Sequence, residues 1–312
     1  MLCDFIYETV EGGIAITSYS GNNPIVNIPR EIDGKKVLEI GDNAFRDKNF
    51  IAEVIFPQGI SAVGNYAFCR CTGLTVINLP EGIREVGAHA FYNCRNIEEI
   101  TLPDSLVFVG DGFIKNCDKI NTVNISSAVK ISPAVMSVLS ELKEEFILNI
   151  KDKNISVVFP QYDYDFFVNA PAKHCTTYTV GAGFRYRQAI TAKGINFHEY
   201  DESFSKAVAE ERDETIFRII FCRILNPYEL GEYFLDKYLE YLRENVEKAV
   251  LYAAKNKDTK FLEIMADNGV FTAENIDMAV SAAAESGDSE ISAFVLDIKL
   301  SGFKKKVKTF DL

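Results

Sequence analysis

The feature that most constrains this chain is a sequence written four times, at a fixed step of 23 residues, between Ile40 and Val129. Ile40, Val63, Val86 and Val109 fall in register, each followed by Gly41, Gly64, Gly87 or Gly110. Ile51, Leu74, Ile97 and Ile120 form a second column, and Val54, Ile77, Ile100 and Val123 a third. Phe56, Leu79, Leu102 and Ile125 form a fourth, with Pro57, Pro80 and Pro103 behind the first three members. One such copy cannot bury its apolar edge alone, whereas stacked copies can, so the period predicts a solenoid.

Each copy has an internal logic. Strand side chains alternate, so Ile77 and Leu79 share a face of Leu74-Thr75-Val76-Ile77-Asn78-Leu79. The following proline ends the pairing because it has no amide hydrogen. The glycine of the valine–glycine step is expected to allow a turn that a Cβ would hinder. Ala44-Phe45, Ala67-Phe68 and Ala90-Phe91 offer a small residue for tight coiling and a ring for the interior; in the fourth copy Phe113 and Ile114 take these slots. Cys71, Cys94 and Cys117 fill one more column. They show no paired C-x-x-C spacing and no adjacent His, and Cys69 stands too near Cys71 for usual zinc spacing. Small thiols stacked inside the solenoid are expected, and no metal site. Cys3, Cys175 and Cys222 bring the total to seven, an odd count that does not read as a disulfide framework.

Ahead of the copies, Phe5, Tyr7, Ile14 and Ile16 alternate with polar neighbours around Gly12-Gly13, which predicts a hairpin. An open solenoid end exposes backbone and apolar side chains, so the hairpin serves as its lid. Ile25-Val26-Asn27-Ile28-Pro29 repeats the form of Val76-Ile77-Asn78-Leu79-Pro80 and reads as the first coil.

These columns, from valine–glycine through alanine–phenylalanine and cysteine to the I-x-L-P close, resemble the BspA-like class of bacterial leucine-rich repeats. Pro29 and Ile32-Asp33-Gly34-Lys35-Lys36-Val37 resemble that family's leading coil. The resemblance covers residues 5 to about 130. It implies a right-handed leucine-rich-repeat solenoid with parallel strands on one face. It also implies a binding or adhesion module, of a kind often secreted.

The register fails after Val129, where Ser132-Pro133 stands in place of valine–glycine. Ser132 as N-cap, Pro133 in the first position and the spacing of Val135, Val138, Leu139 and Leu142 predict a helix. Phe146–Ile150 and Ile155–Phe159 flank Lys151-Asp152-Lys153-Asn154 as strand, turn and strand, either a degenerate coil or the far cap. Residues 160–200 read as an irregular connecting segment. Gly181-Ala182-Gly183 before Arg185 and Arg187 fits a connecting loop better than a phosphate loop, which needs a longer fingerprint. His174, Cys175 and His198 admit a metal or thiol–imidazole reading, but nothing in their spacing requires it.

From Asp201 onward the pattern is helical. Asp201, Asp213, Asn226, Asn245, Asp258, Thr272 and Asp288 each precede an amphipathic run and suit caps, while Gly269, Gly287 and Gly302 suit stops. A helix is expected from Pro227 to about Glu244 with two apolar stripes. A second repeat has a step of 30: Ala249, Val250, Ala253, Ala254 and Asp258 match Ala279, Val280, Ala283, Ala284 and Asp288. This pairing, over about 246–300, resembles ankyrin repeats, although the period is short of about 33 and the T-P-L-H signature is missing. A plain helical bundle shares the same pattern. The tail, Lys304-Lys305-Lys306 with Lys308, reads as a solvated end.

The expected fold is therefore α+β: a leucine-rich-repeat domain with caps at 1–159, the connecting segment at 160–200, and an all-α domain at 201–312. A net charge of −12 argues against nucleic acid, whose phosphates it would repel. No apolar run nears the roughly 18 residues that cross a bilayer. The N-terminus shows no signal-peptide pattern, so a cytoplasmic location is expected, with the cell surface as the alternative if a signal was removed. Two repeat-type surfaces and no evident chemistry predict a non-catalytic protein-binding module without a cofactor. The strand side chains that flank the buried ones point outward: Glu53, Ile55, Val76, Asn78, Glu99, Thr101, Thr122 and Asn124. These are the candidate binding residues, Ile55 and Val76 the more telling because apolar side chains on a solvent face want a reason. A cell-surface adhesin would keep this surface. An enzyme would place its site near residues 160–200, but no paired-carboxylate, nucleophile-elbow, zincin or P-loop spacing supports one.

Overall fold

The structure, a computed structural model, describes residues 4–169 and 174–302, with backbone alone for 166–169 and 174–178. The chain divides into two compact units, Met1–Asn196 and Phe197–Leu312.

In the first unit β1 (Phe5–Val10) and β2 (Gly13–Tyr19) form the antiparallel hairpin about Gly12, whose φ is +83°. β2 then pairs parallel with the third strand of the opening coil, which comprises β3 (Ile25–Asn27), β4 (Glu31–Ile32) and β5 (Lys35–Ile40). The lid is thus hydrogen-bonded onto the solenoid end. Later coils contribute β6 (Glu53–Ile55) and β7 (Ala62–Val63), β8 (Val76–Asn78) and β9 (Glu85–Val86), β10 (Glu99–Leu102) and β11 (Phe108–Val109), then β12 (Thr122–Ile125). Two parallel sheets result: β5-β7-β9-β11 along the valine–glycine steps, and β8-β10-β12 along the I-x-L segments, with β6 paired to β3 beside them.

Equivalent residues stack. The rings of Phe45, Phe68 and Phe91 lie face to face at 4.8 and 5.0 Å, fully buried, and Tyr19 opens the column 5.5 Å from Phe45. Phe113, from the alanine slot of the fourth copy, ends the column edge-on to Phe91. The Cys71, Cys94 and Cys117 thiols each donate to the carbonyl of the preceding coil's phenylalanine, Phe45, Phe68 and Phe91, at 3.0–3.2 Å. Burial pushes the Cys71 and Cys117 thiols up to about 12 and raises Cys94 as well, so they remain protonated donors.

The valine–glycine column works differently from the expectation. Gly41, Gly64, Gly87 and Gly110 are not among the left-handed glycines. Instead the amide of Gly64, Gly87 or Gly110 donates to Ile40, Val63 or Val86 of the preceding coil at 2.7–2.8 Å. A Cβ would then lie 2.3–2.6 Å from backbone nitrogen of that coil. The glycine is required by the close approach of two coils, and the turning is done elsewhere. Asn43, Tyr66, His89 and Gly112, and Asp47, Arg70, Asn93 and Asn116, all sit at φ between 55° and 63°, two equivalent left-handed columns, and Gly59 and Gly82 add a further positive φ near 100° in their coils.

After β12 a helix, α1 (Pro133–Glu141), replaces the missing valine–glycine step; Ser132 Oγ accepts from the Val135 amide. β13 (Phe146–Ile150) nevertheless continues the parallel ladder, Thr122 facing Ile147 and Asn124 facing Asn149, and β14 (Ile155–Phe159) turns back antiparallel to end it. The segment expected to be irregular carries regular elements: a hairpin of β15 (Asp163–Asn169) and β16 (His174–Val180), a short α2 (Gly183–Arg187), and β17 (Ile190–Thr191) paired with β18 (Gly194–Ile195). Buried Arg187 organises it. Its guanidinium donates to the Leu142, Glu144, Pro160 and Gly183 carbonyls at 2.6–3.0 Å, and lies over the Phe146 and Tyr162 rings.

The second unit holds α3 (Phe197–Glu202), α4 (Phe204–Glu210), α5 (Asp213–Leu225), α6 (Glu232–Glu244), α7 (Val246–Asn256), α8 (Thr259–Asp267), α9 (Ile276–Ser286) and α10 (Ser289–Ser301). The step of 30 is real: α7 and α9 start 30 apart, as do α8 and α10. Asp258 and Asp288 cap the second member of each pair, and Lys257 and Gly287 end the first at positive φ. α6 starts five residues later than expected, because Glu229 takes a positive φ and the Tyr228 carbonyl accepts from Arg223. Asp201 is no cap: it sits inside α3, fully buried, in a two-pronged ion pair with Arg223 at 2.7 Å that Tyr238 also joins. Among the described residues no helix is long and apolar enough to cross a membrane.

Candidate functional site

The outward side chains of the I-x-L strands make two parallel rows. One runs Val76, Glu99, Thr122, Ile147, and the other Asn78, Thr101, Asn124, Asn149, both set by the register of β8, β10, β12 and β13. On the β3–β6 ribbon, Ile25 faces Glu53 and Asn27 faces Ile55. All eight residues expected from sequence therefore lie on outer strand positions, with Val54, Ile77, Ile100 and Val123 buried between them. β6 lies against β8, and Thr75 donates across to Ala52 at 3.2 Å.

The two ends of this face differ. At the N-terminal end Ile25 and Ile55 are 49% and 44% exposed, diagonal neighbours on one ribbon, which is where large aliphatic side chains are costly to leave in water. Val76 is half-buried. At the C-terminal end the row is polar and bonded to itself. Ser156 donates to Asn149 at 2.6 Å, Asn149 to Asn124 at 2.9 Å, Asn124 to Glu99 at 2.7 Å and Thr101 at 3.3 Å, and Thr101 to Asn78 at 3.0 Å. Every donor points towards the N-terminal coils, so the carboxamides are held in one orientation.

Beside that ladder opens a cavity of about 530 Å³. Its floor is the buried Leu79, Ile125 and Ile150, its wall is Thr101, Asn124, Asn149 and Ser156, and its rim is Glu81, Ser126, Lys151 and Asn154. Of these only Thr101 and Asn124 were expected from sequence. Asn149 was within reach, because Leu148-Asn149-Ile150 repeats Val123-Asn124-Ile125. Glu81 and the β13–β14 turn carry no such signal.

A second cavity, of about 480 Å³, lies between the fourth coil's turn and the end of α1, with Asp111, Lys115, Asp118, Glu141, Lys143 and Glu144 in its lining. Burial and the neighbouring Asp111 raise the Glu141 carboxyl, against His89 and Lys115. A third, of about 500 Å³, follows the valine–glycine sheet with Glu8, Glu39, Asp42 and Glu85 around it. Among the described residues, no group of three or more His, Cys, Asp and Glu is placed to hold a metal ion. The side chains of His174 and Cys175, and the lysine tail at 304–308, lie outside the described residues. His198, in α3, stands edge-on to Phe234. Arg187, read from the sequence as part of a connecting loop rather than a phosphate loop, is committed to backbone carbonyls.

No curated protein matches the sequence significantly. Solved structures that are similar include a leucine-rich repeat protein of T. pallidum, 29% identical over 41% of this chain and 71% of that one, with a TM-score of 0.35. A leucine-rich repeat protein of Bacteroides capillosus is 24% identical over 41% of this chain and 97% of that one, at a TM-score of 0.37. The pneumococcal vaccine antigen PcpA is 20% identical over 47% of this chain and 37% of that one, at 0.35. A family model, the BspA type leucine rich repeat region, matches in six copies over residues 36–156. That span includes the coil broken by α1, which the column register alone had lost. Residues 36–156 of this chain are a BspA-type leucine-rich-repeat region.

Proposed function

We propose that this chain is a non-catalytic interaction protein whose solenoid strand face recognises a protein partner. The observation that carries the reading is the exposed pair Ile25 and Ile55 on the outer side of one strand ribbon. Two aliphatic side chains in water, on a rigid sheet flanked by Glu53, Asn78 and Glu99, have the make-up of a small apolar anchor inside a polar rim. Because neighbouring coils fix the strands, little ordering is needed on binding. The leucine-rich-repeat region supports the same reading, since stacked repeats present extended surfaces that serve recognition.

The test is affinity capture by the intact protein beside a variant carrying Ile25→Ser, Ile55→Ser, Val76→Ser and Glu99→Gln. Proteins held by the first and lost from the second support the strand face. Species captured equally by both place recognition outside it and overturn the assignment.

A further inference from the structure

We infer that the cavity at the C-terminal end of the strand face binds a neutral, hydroxyl-rich ligand, a pyranose unit of a glycan. This goes beyond the protein-recognition reading and does not depend on it, because the exposed isoleucines sit on the β3–β6 ribbon and line no part of the cavity.

The size fits first. About 530 Å³ lies within the roughly 300–1,000 Å³ typical of small-molecule sites. The hydrogen-bonding inventory narrows the chemistry. A carboxamide carries two N–H donors and two carbonyl lone pairs. Asn149, which lines the cavity, spends one donor on Asn124 and one acceptor on Ser156, so its carboxamide keeps one of each uncommitted. Asn124 keeps one carbonyl lone pair after accepting from Asn149. On the rim, Asn154 shows no side-chain hydrogen bond and Lys151 no ion pair among the described residues, while Glu81 accepts only a long contact, 3.3 Å, from Ser126. Donors and acceptors are therefore interleaved within one cavity. Groups that both donate and accept, which hydroxyls do, match such a lining best.

Other ligand classes fit less well. Glu81 beside a single ammonium, Lys151, disfavours a phosphate or carboxylate, which wants convergent cations. An apolar peptide side chain would need an open hydrophobic pocket, and here Leu79, Ile125 and Ile150 are almost wholly buried, exposing only a thin aliphatic floor. The ladder also holds the wall amides in place before a ligand arrives, which lowers the entropic cost of binding.

The experiment uses the full chain labelled with 15N. D-glucose, D-mannose, D-galactose and N-acetylglucosamine are titrated separately while the side-chain amides of Asn124, Asn149 and Asn154 are followed, and the unlabelled protein is applied to a glycan array. The expected result is saturable binding of at least one saccharide, with shifts concentrated at those three amides. Glu81→Gln and Lys151→Ala, both exposed rim changes, should each weaken it at least fivefold with the thermal midpoint unchanged. Asn149→Leu should abolish it, and Ile25→Ser with Ile55→Ser should leave it intact. Absence of binding across the array overturns the inference, as do shifts confined to other residues. So does a capped tetra-alanine peptide that moves the same amides while sugars do not, since main-chain recognition would then be the site's chemistry.

Discussion

In the solenoid an amide of one coil bonds a carbonyl of the next, whereas in the helical unit α7 meets α9 through buried alanines. The spacing follows from the bond. Hydrogen-bonded strands stand about 4.7–4.9 Å apart, and packed helices about 8–10 Å. At the shorter distance a side chain touches its own equivalent above and below, so each column keeps one class of residue: an apolar one in the interior, as where phenylalanine stacks on phenylalanine, and glycine where Cα meets backbone. At the longer distance, side chains of different size can fill the gap, and the matched pairs drift to Phe261 with Ile291 and Met265 with Val295. The repeat held by backbone keeps its sequence, and the repeat held by side chains keeps only its periodicity and its caps.

The sharpest way to break that comparison lies in the helical unit. If its order comes from a few specific contacts rather than from uniform columns, one of them should matter greatly. Asp201→Asn leaves Arg223 buried without its counter-charge and should cost about 3–5 kcal/mol in urea unfolding. A loss below about 1 kcal/mol would mean water reaches the pair. In the solenoid the corresponding probe is Gly87→Ala, which adds one methyl 2.5 Å from the Asn65 backbone nitrogen and should cost roughly 2–3 kcal/mol. Gly59→Ala, at φ +100° with open space around its Cβ, should cost less, about 1 kcal/mol. Equal costs would mean conformation, not spacing, dictates the column.

The thiol column gives a pH dependence. Cys71 and Cys117, raised from 9.0 to about 12 by burial, keep protons that the unfolded chain gives up near pH 9. Their contribution is complete below pH 9, declines as pH rises from 9 to about 12, and is gone above that. The urea midpoint should fall across this window, and less steeply in Cys71→Ala. The smallest effect compares the two helix pairs. Lys257 occupies the left-handed stop that Gly287 fills in the sister pair, so Lys257→Gly should raise stability by about 0.5–1 kcal/mol, read as a higher thermal midpoint.

What could be read from the sequence follows the same division. The coil columns were legible because stacking writes them as repeated residue types, the hairpin lid because its strands alternate about Gly12-Gly13, and α1 because of Ser132, Pro133 and its helical spacing. The left-handed turns were not, since Tyr66, His89 and Arg70 carry no outward mark of positive φ, and the glycines drew attention to the wrong step. β13 was ambiguous because α1 changes its spacing, although its pairing is regular. Asp201 resembles a cap by position, and only the fold brings Arg223 and Tyr238 to it. On the strand face, alternation placed the eight candidate residues on outer strand positions. The cavity was hidden because Glu81, Asn149, Lys151 and Asn154 come from three separate turns and strands.

Native-state hydrogen exchange tests the stacked-coil account most directly. The amides of Phe45, Phe68 and Phe91 donate to Ala67, Ala90 and Phe113 of the following coil at 2.7–2.9 Å. All three should exchange only with global unfolding of the solenoid, at one common free energy, and should weaken together in Gly87→Ala. Three different free energies, or protection no greater than that of exposed loop amides, would show that the coils do not hold one another.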